Sequence, residues 1–484
     1  MNFNSVTFLF VFLPLFFIFY YLAATRLRKV LLLAASLLFY ILGQPVYFPM
    51  ILGIVLVNFF LARRIEMAGE DKSRYALTIV GVVVNLALLV GFKVFTTYGA
   101  DALPSFGFPI PERVSNLLNN LVYPLGLSFI SFQTIAYLVD VYKNRCGSEK
   151  NILDFALYIF LFPKMLVGPI TLYRSIAGQL KVHLLTAEDA ANGIRRFIIG
   201  FAKKVLIADL LAGIVDSVFS LDPAHFSTGF AWLALMAYAL QIYFDFSGYV
   251  DMAIGLAQML GFRLPENFDF PYISKSISEF WRRWHITLSS WFRDYVFYPL
   301  ERKRLKWIGQ PLNVLIVFLL TGLWHGLTRR FAIWGLIHGV AIVFELSWLG
   351  RKFKSVWAPF QHLYALAVIL FSWVFFRSKS LPYAMSFLAR LAGFGGQIAP
   401  LPFSRTAPLP IINHSFWLAF AAGLIFSTPL VPELCKRLSR LVEQRPHLAL
   451  PLRLAGDVLL FVLLLASIAA TASSSFAPTI YGKF

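Results

Sequence analysis

Charged residues are scarce in this chain of 484 residues: Asp, Glu, Lys and Arg make up 14% of it, whereas hydrophobic residues make up 59%. A soluble domain has about 25% charged residues, so the composition argues against a soluble fold and indicates a polytopic membrane protein. Acidic residues are the scarcer sign, 24 against 43 basic ones, which gives a net charge of +19. Because the basic residues fall in short loops between apolar runs, we expect them to orient helices in a bilayer and predict no nucleic-acid partner.

Cysteine is almost absent. The two that occur, Cys146 and Cys435, lie far apart in basic segments predicted to be cytoplasmic, which argues against a structural disulfide. Residues 1–25 contain no Lys or Arg and no evident small-residue cleavage site, so the N-terminus does not have the pattern of a signal peptide. The first basic cluster, at residues 26–29, follows the first apolar run, which predicts an extracytoplasmic N-terminus.

Motifs for several common chemistries are also missing. No group of residues has the spacing of a zinc site, a P-loop or a dinucleotide-binding fingerprint, so we predict no metal and no tightly bound cofactor. No Gly-x-Ser-x-Gly elbow occurs, and a serine nucleophile is not indicated. Because no internal repeat or separate soluble segment is evident, we predict one membrane-embedded domain over residues 1–484.

Apolar runs recur along the whole chain. A membrane-spanning helix needs about 20 mainly apolar residues. The candidate spans are 6–24, 30–43, 46–62, 76–95, 120–140, 153–171, 194–218, 230–260, 312–327, 331–349, 360–376, 415–432 and 449–471. The run 230–260 is long for one straight helix, and we expect it to bend or split near Ser247 and Gly248. The predicted fold class is therefore all-α, polytopic and integral to the membrane.

The segment WRRWHITLSSWFRDY, residues 281–295, differs from its apolar surroundings because it holds three Arg, a His and an Asp among five aromatic residues. The residues that share one face at helical spacing are Trp281, Trp284, Leu288, Trp291 and Tyr295. A helix with an aromatic and a cationic face suits the membrane interface, so an interfacial anchor is one interpretation. The other is a cationic surface for a phosphate-rich donor such as coenzyme A. The candidate donor-binding residues are Lys275, Arg282, Arg283, Arg302, Lys303 and Arg304.

Two of the eight histidines fall within apolar runs, His325 in NVLIVFLLTGLWHGL and His338 thirteen residues later. An ionisable side chain at membrane depth is costly and indicates function. A low dielectric disfavours imidazolium, so we expect a neutral imidazole at position 325, which is the form that a general base needs. Gly322 and Gly326 flank it and would let a substrate approach. The alternative, favoured for His338, is a structural hydrogen bond to a neighbouring helix.

Carboxylates also occur in an apolar stretch. YFDFSGYVDMAIG, residues 243–255, contains Asp245 and Asp251, which are six positions apart and do not share a helix face well. Asp245 could orient a histidine or pair with an arginine such as Arg282, and structural pairing is the favoured role. PENFDFPY, residues 265–272, is a Pro-bounded loop that leads into the amphipathic segment.

These segments resemble the membrane-bound O-acyltransferase family. The block that carries the resemblance most specifically, 243–326, contains YFDFSGYVDMAIG, then ENFDFPYISKSISEFWRRWHITLSSWFRDYVFYPL, then GLWHG. Further similar segments are YPLGLSFISFQTIAYLVDVY at 123–142, FPKMLVGPI at 162–170 and the tail SFAPTIYGKF at 475–484. The resemblance thus spans nearly the whole chain.

The resemblance implies a ring of tilted transmembrane helices with re-entrant and interfacial helices, in which funnels from both membrane faces meet at a catalytic histidine. That histidine corresponds to His325 in this sequence, and His285 matches a further family position that we predict to be catalytic. Arg293 and Asp294 match other family positions. The complete set of predicted supporting residues is Asp245, Asn267, Arg293, Asp294, Trp324 and His338.

The alginate-acetylating branch of the family, to which the resemblance is strongest, implies movement of an acetyl group across the bacterial inner membrane to an exported polysaccharide. The donor would be acetyl-CoA or the phosphopantetheine thioester of an acyl carrier protein. The partner would be an extracytoplasmic acetyltransferase of the SGNH type or an acceptor protein, beside the membrane lipid itself. Segments 98–118 and 480–484 are candidate contacts for it.

Several alternatives remain open at this point. The acetyl group could pass directly to an acceptor hydroxyl or first to the imidazole of His325. From the residues alone, a transporter or flippase in a polysaccharide export complex would also use intramembrane His and Asp, and a structural scaffold is a third class. A buried histidine next to a cationic segment counts against the scaffold.

Overall fold

The computed structural model of the protein describes residues 3–99, 111–182, 185–302, 309–396, 398–399 and 412–473. Over this part of the chain the backbone is helical and contains no strand, and one isolated antiparallel bridge joins Phe268 to Trp284. The all-α prediction is therefore confirmed.

The described residues form two compact units. The first contains 3–197 and 249–265, and the second contains 198–248 and 266–473. The helices that begin in the first unit are α1 Leu13–Leu22, α2 Thr25–Gly43, α3 Phe48–Met67, α4 Asp71–Tyr98, α5 Glu112–Asn119, α6 Leu127–Tyr142, α7 Ile152–Phe160, α8 Phe162–Met165, α9 Tyr173–Lys181 and α10 Ala187–Ala202. The single domain over 1–484 stays a prediction.

Polar side chains join three helices of the first unit. Asn58 on α3 and Asn85 on α4 exchange side-chain hydrogen bonds, and Asn85 Oδ1 also accepts one from Thr134 Oγ1 on α6 at 2.9 Å. All three residues are buried. Where no water is present, such bonds satisfy polar groups between helices and fix their register.

The candidate span over 153–171 is not one continuous helix. Helix α7 ends at Phe160, the backbone of Leu161 leaves the helical region with ψ 103°, and α8 has only four residues. Pro163 lies in the first turn of α8, where a proline needs no N–H partner, and Pro169 cannot continue a helix. The segment therefore consists of short helices and a loop.

The helices that follow in the chain are α11 Asp209–Ser220, α12 Thr228–Met259, α13 Ile277–Arg283, α14 Ile286–Phe292, α15 Tyr298–Arg302, α16 Gly309–His325, α17 Arg329–Leu346, α18 Trp348–Phe353, α19 Ala358–Arg377, α20 Leu381–Leu391, α21 His414–Phe426, α22 Leu430–Gln444 and α23 Ala449–Ser473. Two π-helical turns, Lys203–Ala208 and Arg293–Phe297, precede α11 and α15. They lengthen the local turn without ending the helix.

Helix α12 is continuous over 32 residues through Ser247 and Gly248, so of the two expectations the split is wrong and the bend stays a prediction. The glycine serves packing instead. A Cβ on Gly248 would lie 2.7 Å from the carbonyl oxygen of Gly200, which is closer than real Cβ atoms come to an oxygen. The small residue thus lets two helical backbones touch, while the burial of this helix outweighs its low helix propensity.

Among the described residues, five helical stretches are long and apolar enough to cross a bilayer, or six if the bent pair α21–α22 counts as one span. The five are Pro45–Met67, Asp71–Tyr98, Thr228–Met259, Ala358–Arg377 and Pro446–Ala472. Helix α16 is shorter, with 17 residues. At 1.5 Å per residue it measures about 25 Å, less than the roughly 30 Å hydrocarbon core. This length suits the re-entrant helix that the family resemblance implies, which stays a prediction.

Helices α16 and α17 form an antiparallel hairpin in which the two backbones touch. A Cβ on Gly322 would overlap the carbonyl oxygen of Phe331, and a Cβ on Gly335 would overlap that of Phe318. The interpretation that Gly322 lets a substrate approach is therefore wrong, because α17 occupies that space. The other flanking glycine, Gly326, has the same explanation, since a Cβ there would lie 2.5 Å from the ring of Phe331.

The substitution Gly322→Ala should destabilise the protein by about 1–3 kcal/mol, although alanine favours helix, because its methyl group pushes α17 away. Gly91→Ala in α4 is the matched control, since nothing lies within 4 Å of a Cβ there. The thermal unfolding midpoints of both variants are measured on detergent-solubilised protein, with size-exclusion chromatography as the readout. Equal midpoints for the two variants would contradict this packing.

Candidate active site

His285 interrupts the helix that was predicted over 281–295. Helix α13 ends at Arg283 and α14 begins at Ile286, while His285 has φ 44°, a left-handed conformation that is uncommon for a residue other than glycine. The prediction of one amphipathic helix is therefore wrong. The interpretation as a lipid-facing anchor does not fit either, because the three tryptophans of the segment are at least nine-tenths buried in the protein.

Asn267 holds the turn that contains His285. Its Oδ1 accepts hydrogen bonds from the backbone N–H and the hydroxyl of Thr287, both at 3.0 Å, and lies 3.3 Å from His285 Nδ1. Its backbone carbonyl accepts from Ile286 N at 3.1 Å. Asn267 is completely buried, and it satisfies the polar groups that the break between α13 and α14 exposes. This gives the predicted supporting residue a structural basis.

The imidazole of His285 is itself buried and packs among aromatic rings. Its centroid lies 4.8 Å from that of Phe246 and 6.3 Å from that of Trp324. Burial lowers the pKa of His285 to about 3, because a low dielectric disfavours the charged form. The ring is therefore neutral at physiological pH.

His325 is the last residue of α16 and is only 4% exposed. Its ring lies 4.5 Å from Trp324, 5.0 Å from Trp334 at an interplanar angle of 88°, and 5.0 Å from Phe376. Edge-to-face contacts of this kind favour one orientation of the ring. The aromatic side chains therefore hold the imidazole in place and keep bulk water away from it.

His338 packs against Trp334, one of the aromatic residues that contact His325. It is fully buried, and neither of its ring nitrogens has a hydrogen-bond partner in the part of the chain that the structure describes. The indole of Trp334 separates it from His325, with centroids 5.2 Å and 5.0 Å away. The structural hydrogen bond that the sequence favoured for His338 is thus not formed with any described residue.

A cavity of about 640 Å³ lies between α13, α14, α16 and α17 in the second unit. Its polar lining consists of Ser278, Arg282, Ser289, Ser290, Arg293, Gln310 and Thr321. Thr321 precedes His325 by one helical turn, so the two side chains lie on the same face of α16. The cavity therefore extends from Arg282 and Arg293 to Thr321, one helical turn from the predicted catalytic histidine. His325 itself does not line the cavity.

Known proteins are similar in sequence to this chain over most of its length. Residues 143–387 match the model of the membrane-bound O-acyltransferase family. The chain is 41% identical over 401 residues to a probable alginate O-acetylase of Azotobacter vinelandii. The alignment covers 82% of this chain and 79% of that protein. This chain belongs to the membrane-bound O-acyltransferase family. It is an acyltransferase and a membrane protein.

Two more distant relatives act on other polymers. The acyltransferase is 35% identical over 431 residues to the peptidoglycan O-acetyltransferase of Helicobacter pylori, with 81% of this chain and 80% of that protein covered. It is 31% identical over 326 residues to the teichoic acid D-alanyltransferase of Bacillus subtilis, with 64% and 78% covered.

The predicted donor-binding residues of the acyltransferase differ in their position relative to the cavity. Arg282 is exposed at the cavity and forms no ion pair within 4 Å among the described residues, while its charge interacts with that of Glu279. Arg283 instead forms an ion pair with Glu279 of the same helix at 3.0 Å and one with Asp269 at 2.7 Å, and the second ties α13 to the preceding loop. Lys275 and Arg302 are exposed and do not line the cavity. Two further candidates, Lys303 and Arg304, lie outside the described residues.

Arg293 contacts its neighbour in sequence. Its Nε donates to Asp294 Oδ1 at 2.9 Å, within the π-helical turn that follows α14. The arginine lines the cavity and is 53% exposed, so it keeps donors free for a ligand. The structure thus brings Arg282 and Arg293 to one cavity.

Asp245 has a partner that the sequence reasoning missed. Lys204 Nζ lies 2.6 Å from Asp245 and 2.6 Å from Asp209, and both Lys204 and Asp245 are almost completely buried. The structural pairing that the sequence favoured for Asp245 is therefore observed, but its partner is Lys204 and not an arginine such as Arg282. A lysine inside the apolar run 194–218 was the available signal, since such a residue at membrane depth needs a partner.

Replacement of Lys204 by Met should destabilise the acyltransferase by about 3 kcal/mol or more, because two carboxylates would then lose their shared cation in a buried place. The double variant Lys204→Met, Asp245→Asn should regain part of that loss, since it removes one of the uncompensated charges. Thermal unfolding in detergent compares the three proteins. A Lys204→Met variant as stable as the parent would refute the argument.

Proposed function

We propose that this acyltransferase moves an acetyl group from a cytoplasmic thioester toward a hydroxyl of an exported polysaccharide, with His325 as the general base. The relatives support the class of reaction: they are named for O-acetylation of alginate and of peptidoglycan. The proposed location is the bacterial inner membrane with an extracytoplasmic N-terminus, as the charge of residues 26–29 indicates.

The observation that carries the proposal is the cavity that extends from Arg282 and Arg293 to Thr321. A coenzyme A or phosphopantetheine donor is a long molecule with phosphates at one end and a thioester at the other. The two guanidinium groups suit the phosphates, because arginine binds phosphate oxygens through several N–H groups at once. Because His325 does not itself line the cavity, the proposal requires the thioester to extend beyond Thr321 by about one helical turn to reach the imidazole.

The chemistry at this point follows from a neutral imidazole. His325 takes the proton of the acceptor hydroxyl while its oxygen attacks the thioester carbonyl. The tetrahedral intermediate then expels the thiolate, and the imidazolium returns the proton to that sulfur, so the products are an ester and a thiol. The indole N–H of Trp324, beside His325, is the proposed donor to the oxyanion. The ring of His285, which contacts Asn267, lies 6.3 Å from that of Trp324 between centroids and is proposed to support it.

A second route forms acetyl-His325 first and then passes the acetyl group on. Brief incubation with radiolabelled acetyl-CoA, followed by denaturation, separates the routes. Label that stays on the parent protein and is absent from His325→Ala supports the covalent route, and no label on either protein supports direct transfer.

The final acceptor is proposed to lie outside the membrane. Because the relatives act on polymers of the cell surface, an extracytoplasmic acetyltransferase of the SGNH type or an acceptor protein would receive or complete the transfer. Its proposed contacts, 480–484 and most of 98–118, lie outside the described residues.

His325→Ala should lower the rate of acetyl transfer by about a hundredfold to ten-thousandfold, the typical effect of losing a general base. His414→Ala is the control, because His414 is exposed and distant in sequence from the block 243–326. Thiol release from acetyl-CoA by protein in nanodiscs, with an alginate oligosaccharide or a peptidoglycan fragment as acceptor, measures the rate. Parental turnover by His325→Ala would refute the proposal.

Arg282→Gln should raise the KM for acetyl-CoA about tenfold, because a charge-assisted bond to phosphate is lost. The KM for S-acetyl-N-acetylcysteamine, a thioester without phosphates, should not change. Arg437→Gln is the control, since this exposed arginine lies on α22 outside the cavity. An equal rise for both thioesters would show that Arg282 does not bind phosphate.

A further inference from the structure

A buried carboxylate connects α17 to the start of α13. Glu345, one residue from the end of α17, is 5% exposed. Its carboxylate oxygens accept hydrogen bonds from the backbone N–H groups of Ile277 at 2.5 Å and Ser278 at 2.9 Å, and from the Ser278 hydroxyl at 2.5 Å. The hydroxyl of Tyr364 on α19 lies 3.4 Å away and donates a weaker one.

Helix α13 already has its own N-terminal cap. The Ser276 hydroxyl accepts from Glu279 N at 3.0 Å, and the Glu279 carboxylate accepts from Lys275 N at 2.9 Å. This arrangement resembles the capping box, in which the helix satisfies its first N–H groups locally. Burial of a second carboxylate, that of Glu345, is costly in free energy unless its interactions compensate for the lost hydration. What Glu345 adds is a connection between two helices that are far apart in sequence.

Both helices that Glu345 connects form walls of the cavity. Ser278, Trp281 and Arg282 line it from α13, while Ile342 and Leu346 line it from α17 on either side of Glu345 in sequence. Arg282 lies one helical turn from Ser278. The carboxylate therefore fixes the place of the guanidinium relative to the opposite wall.

We propose that Glu345 is a positioning residue that holds α13 so that Arg282 meets the phosphates of the donor. The inference rests on the proposed function, since it takes a phosphate-bearing thioester as the donor. Glu345 touches no substrate and acts through α13. Its loss displaces Arg282, which weakens donor binding and leaves the chemistry at His325 in place.

The test is a double-mutant cycle of Glu345→Gln and Arg282→Gln, measured with acetyl-CoA in nanodiscs. Glu345→Gln alone should raise the KM about tenfold, the cost of a misplaced binding group, and keep kcat within about twofold. In the Arg282→Gln background it should add nothing, because the group that it positions is gone. The KM for S-acetyl-N-acetylcysteamine should stay at the parental value.

Ser276→Ala is the matched control, because it removes the local cap of the same helix and leaves the connection to α17 intact. It should leave the KM for acetyl-CoA unchanged. Additive effects in the cycle, or an equal rise for both thioesters, would overturn the positioning role. If Glu345→Gln does not fold, Glu345→Asp enters the same cycle, with the same outcomes. A parent protein without thioester turnover would refute the proposed function, whereas an active parent with an unchanged Glu345→Gln refutes only this inference.

Discussion

The contact between the backbones of α16 and α17 is the constraint on which the site depends. Gly322 and Gly335 let the two helices touch, and this contact brings Trp334 of α17 edge-on to the imidazole of His325. Because helices associate in a bilayer through close packing more than through the hydrophobic effect, a hairpin with small residues at its crossing is rigid. The histidine at its end is therefore held in one place, as the proposed role of a general base would require.

The cations of the second unit differ in function according to their partners. Lys204 is buried with two carboxylates and stabilises the helices around it. Arg283 ties α13 to the preceding loop through Asp269 and also pairs with Glu279 of the same helix. Arg282 is exposed at the cavity, where a ligand can contact its guanidinium group. In the part of the chain that the structure describes, Arg282 and Arg293 are the arginines that line this cavity.

The sequence predicted the all-α membrane fold and the family, both of which are confirmed, whereas the catalytic role of His325 stays a prediction. The errors have a common physical cause. Helical periodicity over 281–295 does not reveal that Asn267, eighteen residues upstream of His285, satisfies a break in the helix. A glycine that a neighbouring backbone touches looks the same in sequence as one that bends a helix or admits a substrate. Partners that are distant in sequence, such as Lys204 and Asp245, cannot be paired from one chain alone.

The central claim is that a phosphate-bearing thioester enters the cavity and presents its carbonyl to His325. The most direct test is a structure with the acetonyl thioether of coenzyme A, which cannot release its acyl group. The account predicts phosphates in contact with Arg282 or Arg293 and a carbonyl carbon within about 6 Å of the imidazole, with room for one acceptor oxygen between them. A ligand bound elsewhere, or one whose carbonyl stops short of Thr321, would contradict it.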